Sequence, residues 1–197
     1  MGKAPIRLSG TVRAAHLILT GYGHWLPNDP RGSGSSEVRS AALRELGEIH
    51  FGRKRVQPPR ADLRGFYRQA EPKLAHPTIW FDATTRDAVA RAVGDVISRN
   101  GYTCWALAIL RNHLHAVIRT HRDKADTMLE KLGAGTRERL RESGAVPMDH
   151  PVWSERPYKV FLKTREEVVG RIEYVQGNPM KEGLAPQRWE CVVPFDG

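Results

Sequence analysis

Apolar positions recur along this chain with two periods, and each change of period marks an element. In RAAHLILTGY, residues 13–22, a short apolar run ends in turn residues and predicts a first strand. GHWLPNDPRGSGSS (23–36) is rich in Gly, Pro, Asn, Asp and Ser and predicts a loop. Val38, Ala41, Ala42, Leu46 and Ile49 then recur at helical spacing, with Ser36 as the expected N-cap and Glu37 in the first turn. HPTIWF (76–81) reads as a strand. Within 84–98, Ala88, Val89, Ala92, Val93, Val96 and Ile97 form a helical stripe. YTCWALAIL (102–110) is apolar nearly throughout, and HLHAVIRT follows after Arg111 and Asn112. Two such runs across a short turn predict a hairpin of central strands covered on both faces. DKADTMLEKL and TRERLRE predict helices, and HPVWSERPYKVFL (150–162) an irregular strand. TREEVVGRIEYVQGN (164–178) predicts a last helix, with Thr164 as N-cap and Glu166 and Glu167 near its positive end.

Strands interleaved with helices around an antiparallel hairpin imply an α+β fold, and a ferredoxin-like antiparallel sheet with helices packed on it is the nearest common architecture. The 197 residues fit one domain, with a basic loop and helix insertion at about 23–75 after the first strand. Neither an internal repeat nor a long low-complexity tract interrupts it.

Charge narrows the partners. Lys and Arg total 31 against 22 Asp and Glu, a formal charge of +9, which favours a polyanion and nucleic acid before a membrane surface. FGRKRVQPPRADLR (51–64) concentrates Arg53, Lys54, Arg55, Arg60 and Arg64 beside two prolines that bar a long helix. It is either a solvated loop or an arm that contacts phosphates, since such an arm needs only charge and reach. Cys104 and Cys191 lie far apart and read as reduced thiols, without the spacing of a disulfide scaffold or a zinc knuckle. MGKAPIRLSG lacks the apolar stretch of a signal peptide, and Ile6 departs from the myristoylation pattern. Since no run reaches the length of a membrane span, a cytoplasmic, nucleoid-associated protein is expected.

Candidate chemistry centres on two places. In RNHLHAVIRT (111–120), strand alternation puts His113, His115, Val117 and Arg119 on one face and Leu114, Ala116 and Ile118 on the other. Two imidazoles about 7 Å apart at the Cα can converge on one divalent metal, or can be two structural histidines near a turn. A third ligand has to come from elsewhere. In the last helix Val168, Ile172 and Val175 form the buried stripe, and Tyr174 points away from it, toward a face shared with Arg171 and Asn178. Gly177 and Pro179 obscure the local geometry there. Asp123 and Asp126 read as capping residues, and no Gly-rich stretch continues into a G-K-[ST] phosphate loop.

The combination N-H-L-H-A-V-I, followed some sixty residues later by Y-V-Q-G-N-P-M-K-E-G-L (174–184), resembles the single-tyrosine HUH transposases, in whose name the middle letter is a hydrophobic residue, here Leu114. Within that superfamily the chain is most similar to the REP-associated tyrosine transposases, and WLPNDPRGS (25–33) also resembles a segment of insertion-sequence transposases. The resemblance spans roughly residues 12–185, and its weight lies in the order of motifs, each weak alone.

It implies a ferredoxin-like fold acting on single-stranded or hairpin DNA with Mg²⁺ or Mn²⁺. His113, His115 and Asn178 would be the metal ligands, Asn178 because it stands four after the tyrosine, where relatives carry Gln or Asn. Tyr174 would be the nucleophile, leaving a 5′-phosphotyrosine and a free 3′-hydroxyl. A later 3′-hydroxyl can displace the tyrosine, so cleavage and rejoining need no ATP. Arg53, Lys54, Arg55, Arg60, Arg64, Arg119, Trp153 and Lys181 are candidate DNA contacts. Trp25 and Trp105 are further candidates for stacking on bases, Trp105 being better read as core. Relatives act as monomers or as homodimers that pair the tyrosine helix of one copy with the histidines of the other. The rival readings are another HUH nuclease, such as a replication initiator or relaxase, a domesticated protein that binds DNA hairpins without cutting, and a structural protein whose charge is incidental.

Overall fold

The computed structural model describes residues 11–197; the N-terminal residues weighed above for a signal peptide and for myristoylation lie outside it. Four strands form one sheet: β1 (Ala14–Thr20), β2 (Cys104–Ile109), β3 (His113–Arg119) and β4 (Tyr158–Leu162). Their order is β2-β3-β1-β4, with every neighbouring pair antiparallel. That is the expected ferredoxin-like sheet.

The described residues also form five α-helices: α1 (Ala41–Arg44), α2 (Arg60–Ala70), α3 (Ala83–Asn100), α4 (Ala125–Glu142) and α5 (Arg165–Lys181). Helices α3 and α4 cover one face. Alternation on β1 and β3 sends Ala15, Leu17, Leu19, Leu114, Ala116 and Ile118 to that face, where they meet Val89, Val93, Val96, Met128, Leu129 and Leu132. Burial of this apolar surface is the main stabilising term. The ends of α3 are set locally: Asp82 Oδ1 accepts from the Thr85 N–H at 2.7 Å, and Gly101 closes the helix at φ 67°. DKADTMLEKL and TRERLRE are one helix, α4, which continues through Gly133 and Gly135. A Cβ on Gly135 would stand 2.6 Å from Val96 Cγ2, so a small residue lets α3 and α4 approach.

The opposite face belongs to α5, which packs Val168 and Val175 on Ala14, Trp105, Ala106, Ala108, Val117 and Leu162. A capping box at Thr164 and Glu167 starts α5 where the sequence predicted, and the helix runs past Pro179 to Lys181.

Four expectations need correction. HPTIWF forms no strand; it is an extended segment pinned by Ile79 N–H to Tyr22 O (3.1 Å) and Phe81 N–H to Arg111 O (2.7 Å). Its edge positions give it bonds at two points and no ladder. The helix expected from Ser36 shrinks to the four residues of α1, capped by Ser40, and Gly47 follows at φ 128°. Strand β2 is an edge strand and not a central one. It is nevertheless wholly buried because the C-terminal segment covers its edge: Gln187 exchanges two hydrogen bonds with Ile109, and Val193 N–H donates to Cys104 O. Finally, Asp123 and Asp126 cap nothing. Lys124 is the N-cap of α4 without a side-chain bond, Asp123 takes Lys131 and Tyr102, and Asp126 pairs with Lys159.

The insertion between β1 and α3 gathers a small core of its own from Leu26, Val38, Leu43, Phe66 and Ala70. Helix α2 was not foreseen, and it places Arg60 and Arg64 on a helix while Arg53, Lys54 and Arg55 stay in exposed irregular chain. Cys104 is buried and unpaired, and burial pushes its thiol pKa up. Among the described residues no helix is long and apolar enough to cross a membrane.

Candidate active site

On the α5 face of the sheet, β1 and β3 place His16, His113 and His115 beneath the helix. His115 is 5% exposed and His16 fully buried. The His113 and His115 rings meet edge to face with centroids 4.8 Å apart. Above them, Tyr174 lies 5.9 Å from the His115 ring and 6.2 Å from the His16 ring while remaining 43% exposed. A single chain therefore brings the phenol and the histidines together. Helix periodicity explains how: Val168, Ile172, Val175 and Pro179 form the packing stripe, and Arg171, Tyr174, Asn178 and Lys181 form the stripe beside it. The Arg171 guanidinium carbon stands 5.5 Å, and Lys181 Nζ 5.0 Å, from the Tyr174 ring. Two cations thus flank the phenol.

The hydrogen bonds fix which nitrogen of each histidine holds its proton. The Ile79 carbonyl can only accept, so His24 Nε2 donates to it at 2.8 Å. His24 Nδ1 then accepts from Asn112 Nδ2 (3.3 Å), which turns Asn112 Oδ1 toward His113 Nδ1 at 2.7 Å. His113 must donate there, leaving a lone pair on its Nε2. A second relay gives His115 the opposite arrangement. Arg171 can only donate, so His16 Nδ1 accepts from it at 3.0 Å. His16 Nε2 donates to His115 Nδ1 at 2.9 Å, and the remaining proton of His115 sits on Nε2. The pair consists of one acceptor and one donor.

Burial keeps these rings neutral. Desolvation, then the Arg171 charge, lowers the His16 pKa to about 4. Desolvation, then the His24 charge, lowers His113 to about 4. His115 is pushed lower still by desolvation and then by His113, His16 and Arg171. Neutral imidazole is the form a metal takes.

A divalent metal fits this donor set on one condition. His113 Nε2 is ready as a ligand, whereas His115 becomes one only when its Nδ1 takes over as donor to His16, which requires Arg171 to leave His16. Asn178 is buried one turn beyond Tyr174 on the same helix. Among the described residues no three His, Cys, Asp or Glu are placed to hold a metal ion, and Asn178 is the third ligand that the resemblance implies.

The other sequence-derived candidates scatter. Arg53, Lys54, Arg55, Arg60 and Arg64 are exposed on the insertion. Arg119 is exposed and paired with Asp196 at 3.5 Å. Trp153 is buried, with its indole N–H on Thr136 Oγ1 at 2.8 Å, and offers no face to a base. Trp105 is core. The reading of the sequence missed His16, His24 and Asn112 as supports. An imidazole between Ala14 and Ile18 on the same face of an apolar strand was the available signal for His16.

No family model matches the chain, and no curated protein matches it. Several solved structures are similar to it, two of which follow. One is a REP-associated tyrosine transposase bound to a REP hairpin, at 10% identity and TM-score 0.47, covering 93% of this chain and 76% of that one. The other is a presumed transposase from Deinococcus radiodurans R1, at 11% identity and TM-score 0.40, covering 90% of this chain and 97% of that one.

Proposed function

We propose that this protein cleaves and rejoins single-stranded DNA next to a hairpin through a covalent bond to Tyr174. The observation that carries the reading is the meeting, within one chain, of a half-exposed tyrosine with the His113–His115 pair and two cations. The motif order that resembles the single-tyrosine HUH transposases supports it.

The bond formed joins Tyr174 Oη to phosphorus and the bond broken frees a 3′-hydroxyl, so the phenol proton departs and the leaving oxygen gains one. Arg171 and Lys181 hold the phosphate oxygens over the phenol and balance their charge. Without metal, His115 Nε2–H can donate to a phosphate oxygen, while the lone pair on His113 Nε2, which a phosphate oxygen cannot satisfy, is the one free for a metal. Mg²⁺ or Mn²⁺, held by His113, His115 and Asn178, would supply polarisation of the phosphate and stabilisation of the departing oxygen. The Asn112–His24 and His16 relays keep the rings aimed. The net charge of +9 and the exposed Arg53, Lys54 and Arg55 suit a phosphate backbone.

The test is incubation with labelled single-stranded hairpin DNA from the flanks of its own gene, with Mn²⁺, followed by denaturing gel. Wild type is expected to give a protein–DNA adduct, while Tyr174→Phe and His113→Ala/His115→Ala give none. Tight hairpin binding by wild type without any adduct would assign the chain to non-cutting hairpin recognition.

A further inference from the structure

Two exposed indoles flank the strut that aims His113. Trp80 is 62% exposed, and its ring meets His24 at 4.5 Å, nearly perpendicular. Trp25, next to His24 in sequence, is 43% exposed, yet it is not loosely held. Its backbone sits at φ 56°, a left-handed conformation that a bulky side chain seldom adopts. Its N–H donates to Tyr67 Oη at 2.8 Å, and the Arg31 guanidinium lies 3.6 Å over its ring. Arg31 is in turn fixed by two bonds to Asp29, at 2.9 and 2.7 Å, whose carboxylate is fully buried and also accepts from Tyr67. Gly23 lets this turn approach the 76–81 segment, since a Cβ there would fall 2.5 Å from Thr78 Oγ1. Trp25 thus has one face of its ring on Arg31 and the rest open to solvent, in a backbone conformation that costs energy to hold.

The indoles are also in the right place. From Trp80 the contacts run through His24 (4.5 Å), Asn112 (3.3 Å), His113 (2.7 Å) and His115 (4.8 Å) to Tyr174 (5.9 Å). Lys54 N–H donates to Arg31 O at 2.8 Å, which sets the basic run beside the Trp25–Arg31 stack. Indole faces stack on any base, guanidinium extends the stack and adds charge, and neighbouring lysines and arginines track phosphates.

We infer that Trp80 and the Trp25–Arg31 stack bind unpaired nucleotides of the strand being cut, within a few nucleotides of the phosphate at Tyr174. This rests on the proposed strand-cleavage reading and supplies its preference for single strand beside the hairpin. The site reads no base edge, so it is tolerant of sequence and intolerant of pairing.

The test compares two labelled DNAs by fluorescence anisotropy: a hairpin with a single-stranded flank and the same hairpin cut blunt. Trp80→Ala is expected to weaken the flanked hairpin about tenfold, leave the blunt hairpin unchanged and be rescued to within about threefold by Trp80→Phe. Equal binding of the flanked hairpin by wild type and Trp80→Ala would overturn the proposal, as would equal losses on both DNAs. Because Trp80 is exposed, Trp80→Ala tests the site without disturbing a core, and circular dichroism verifies its fold. The adduct assay separates the two ideas. A wild-type adduct with unaffected Trp80→Ala binding sinks only the stacking site. A tenfold flank-specific loss without any wild-type adduct sinks only the cleavage reading.

Discussion

His16 illustrates how a buried residue can set the state of two others, Arg171 and His115, that line the candidate site. Fully buried, it accepts from Arg171 and donates to His115, so its neutral form is built into the fold. An unfolded histidine has a pKa near 6.5, whereas His16 and His113 are lowered to about 4 when folded. Below pH 6.5 the unfolded chain therefore binds more protons than the native one, and stability falls as pH drops from about 6.5 toward 4. Thermal melts of wild type should move to lower temperature across that window, with a shallower slope for His16→Gln; a slope unchanged by the substitution would contradict the relay. Arg171 makes a second prediction. Because its bond to His16 opposes the His115 tautomer that the proposed metal site requires, Arg171→Met should bind Mn²⁺ several-fold more tightly in the absence of DNA, by titration calorimetry. Weaker binding would place Arg171 among the supports of the metal site. At this scale the sequence exposed His113, His115 and Tyr174 because each breaks an apolar periodicity. Asn112 and His24 were invisible because their meeting depends on a turn packed 88 residues away in sequence.

Helix α5 is the element that carries Tyr174 to the candidate site, and its start is set by Thr164 and Glu167, each bonded to the other's backbone. Thr164→Ala should lower stability by about 1 kcal/mol in urea unfolding. It should reduce adduct yield little at saturating DNA, since Val168 and Val175 still seat the helix. Loss of adduct with an intact fold would mean the cap itself orients Tyr174. The cap and the two stripes of α5 were legible in the sequence because they follow from local spacing. The strand expected at 76–81 was not there, because an apolar run does not say whether a partner edge is free. Likewise β2 reads as central from its apolarity, although it lies at an edge covered by residues 187–195. Burial alone does not give position in a sheet.

Over the whole molecule, the two faces of the sheet differ: α3 and α4 make the larger hydrophobic core on one face, and α5 and the histidines make the candidate site on the other. The basic insertion extends from the end of β1, whose His16 lies under Tyr174. If Arg53, Lys54 and Arg55 contact phosphates, replacing all three by alanine should reduce the slope of log K against log salt by about 2–3 for hairpin DNA. An unchanged slope would leave the run a solvated loop. The ferredoxin-like architecture was legible from the sequence of strand and helix periods, although those periods also suggested a strand at 76–81 that is not formed. The insertion's own core was not, because Leu26, Val38, Leu43 and Phe66 come from segments with no shared period.

The most direct test of the central claim is to identify the atom that becomes attached to DNA. Wild-type protein would be reacted with hairpin DNA and Mn²⁺, digested with nuclease and protease, and sequenced by mass spectrometry. The account predicts a nucleotide phosphate on Tyr174 alone, together with a DNA fragment ending in a 3′-hydroxyl. A phosphate on any other residue, or a cut strand without a protein-linked phosphate, would contradict it.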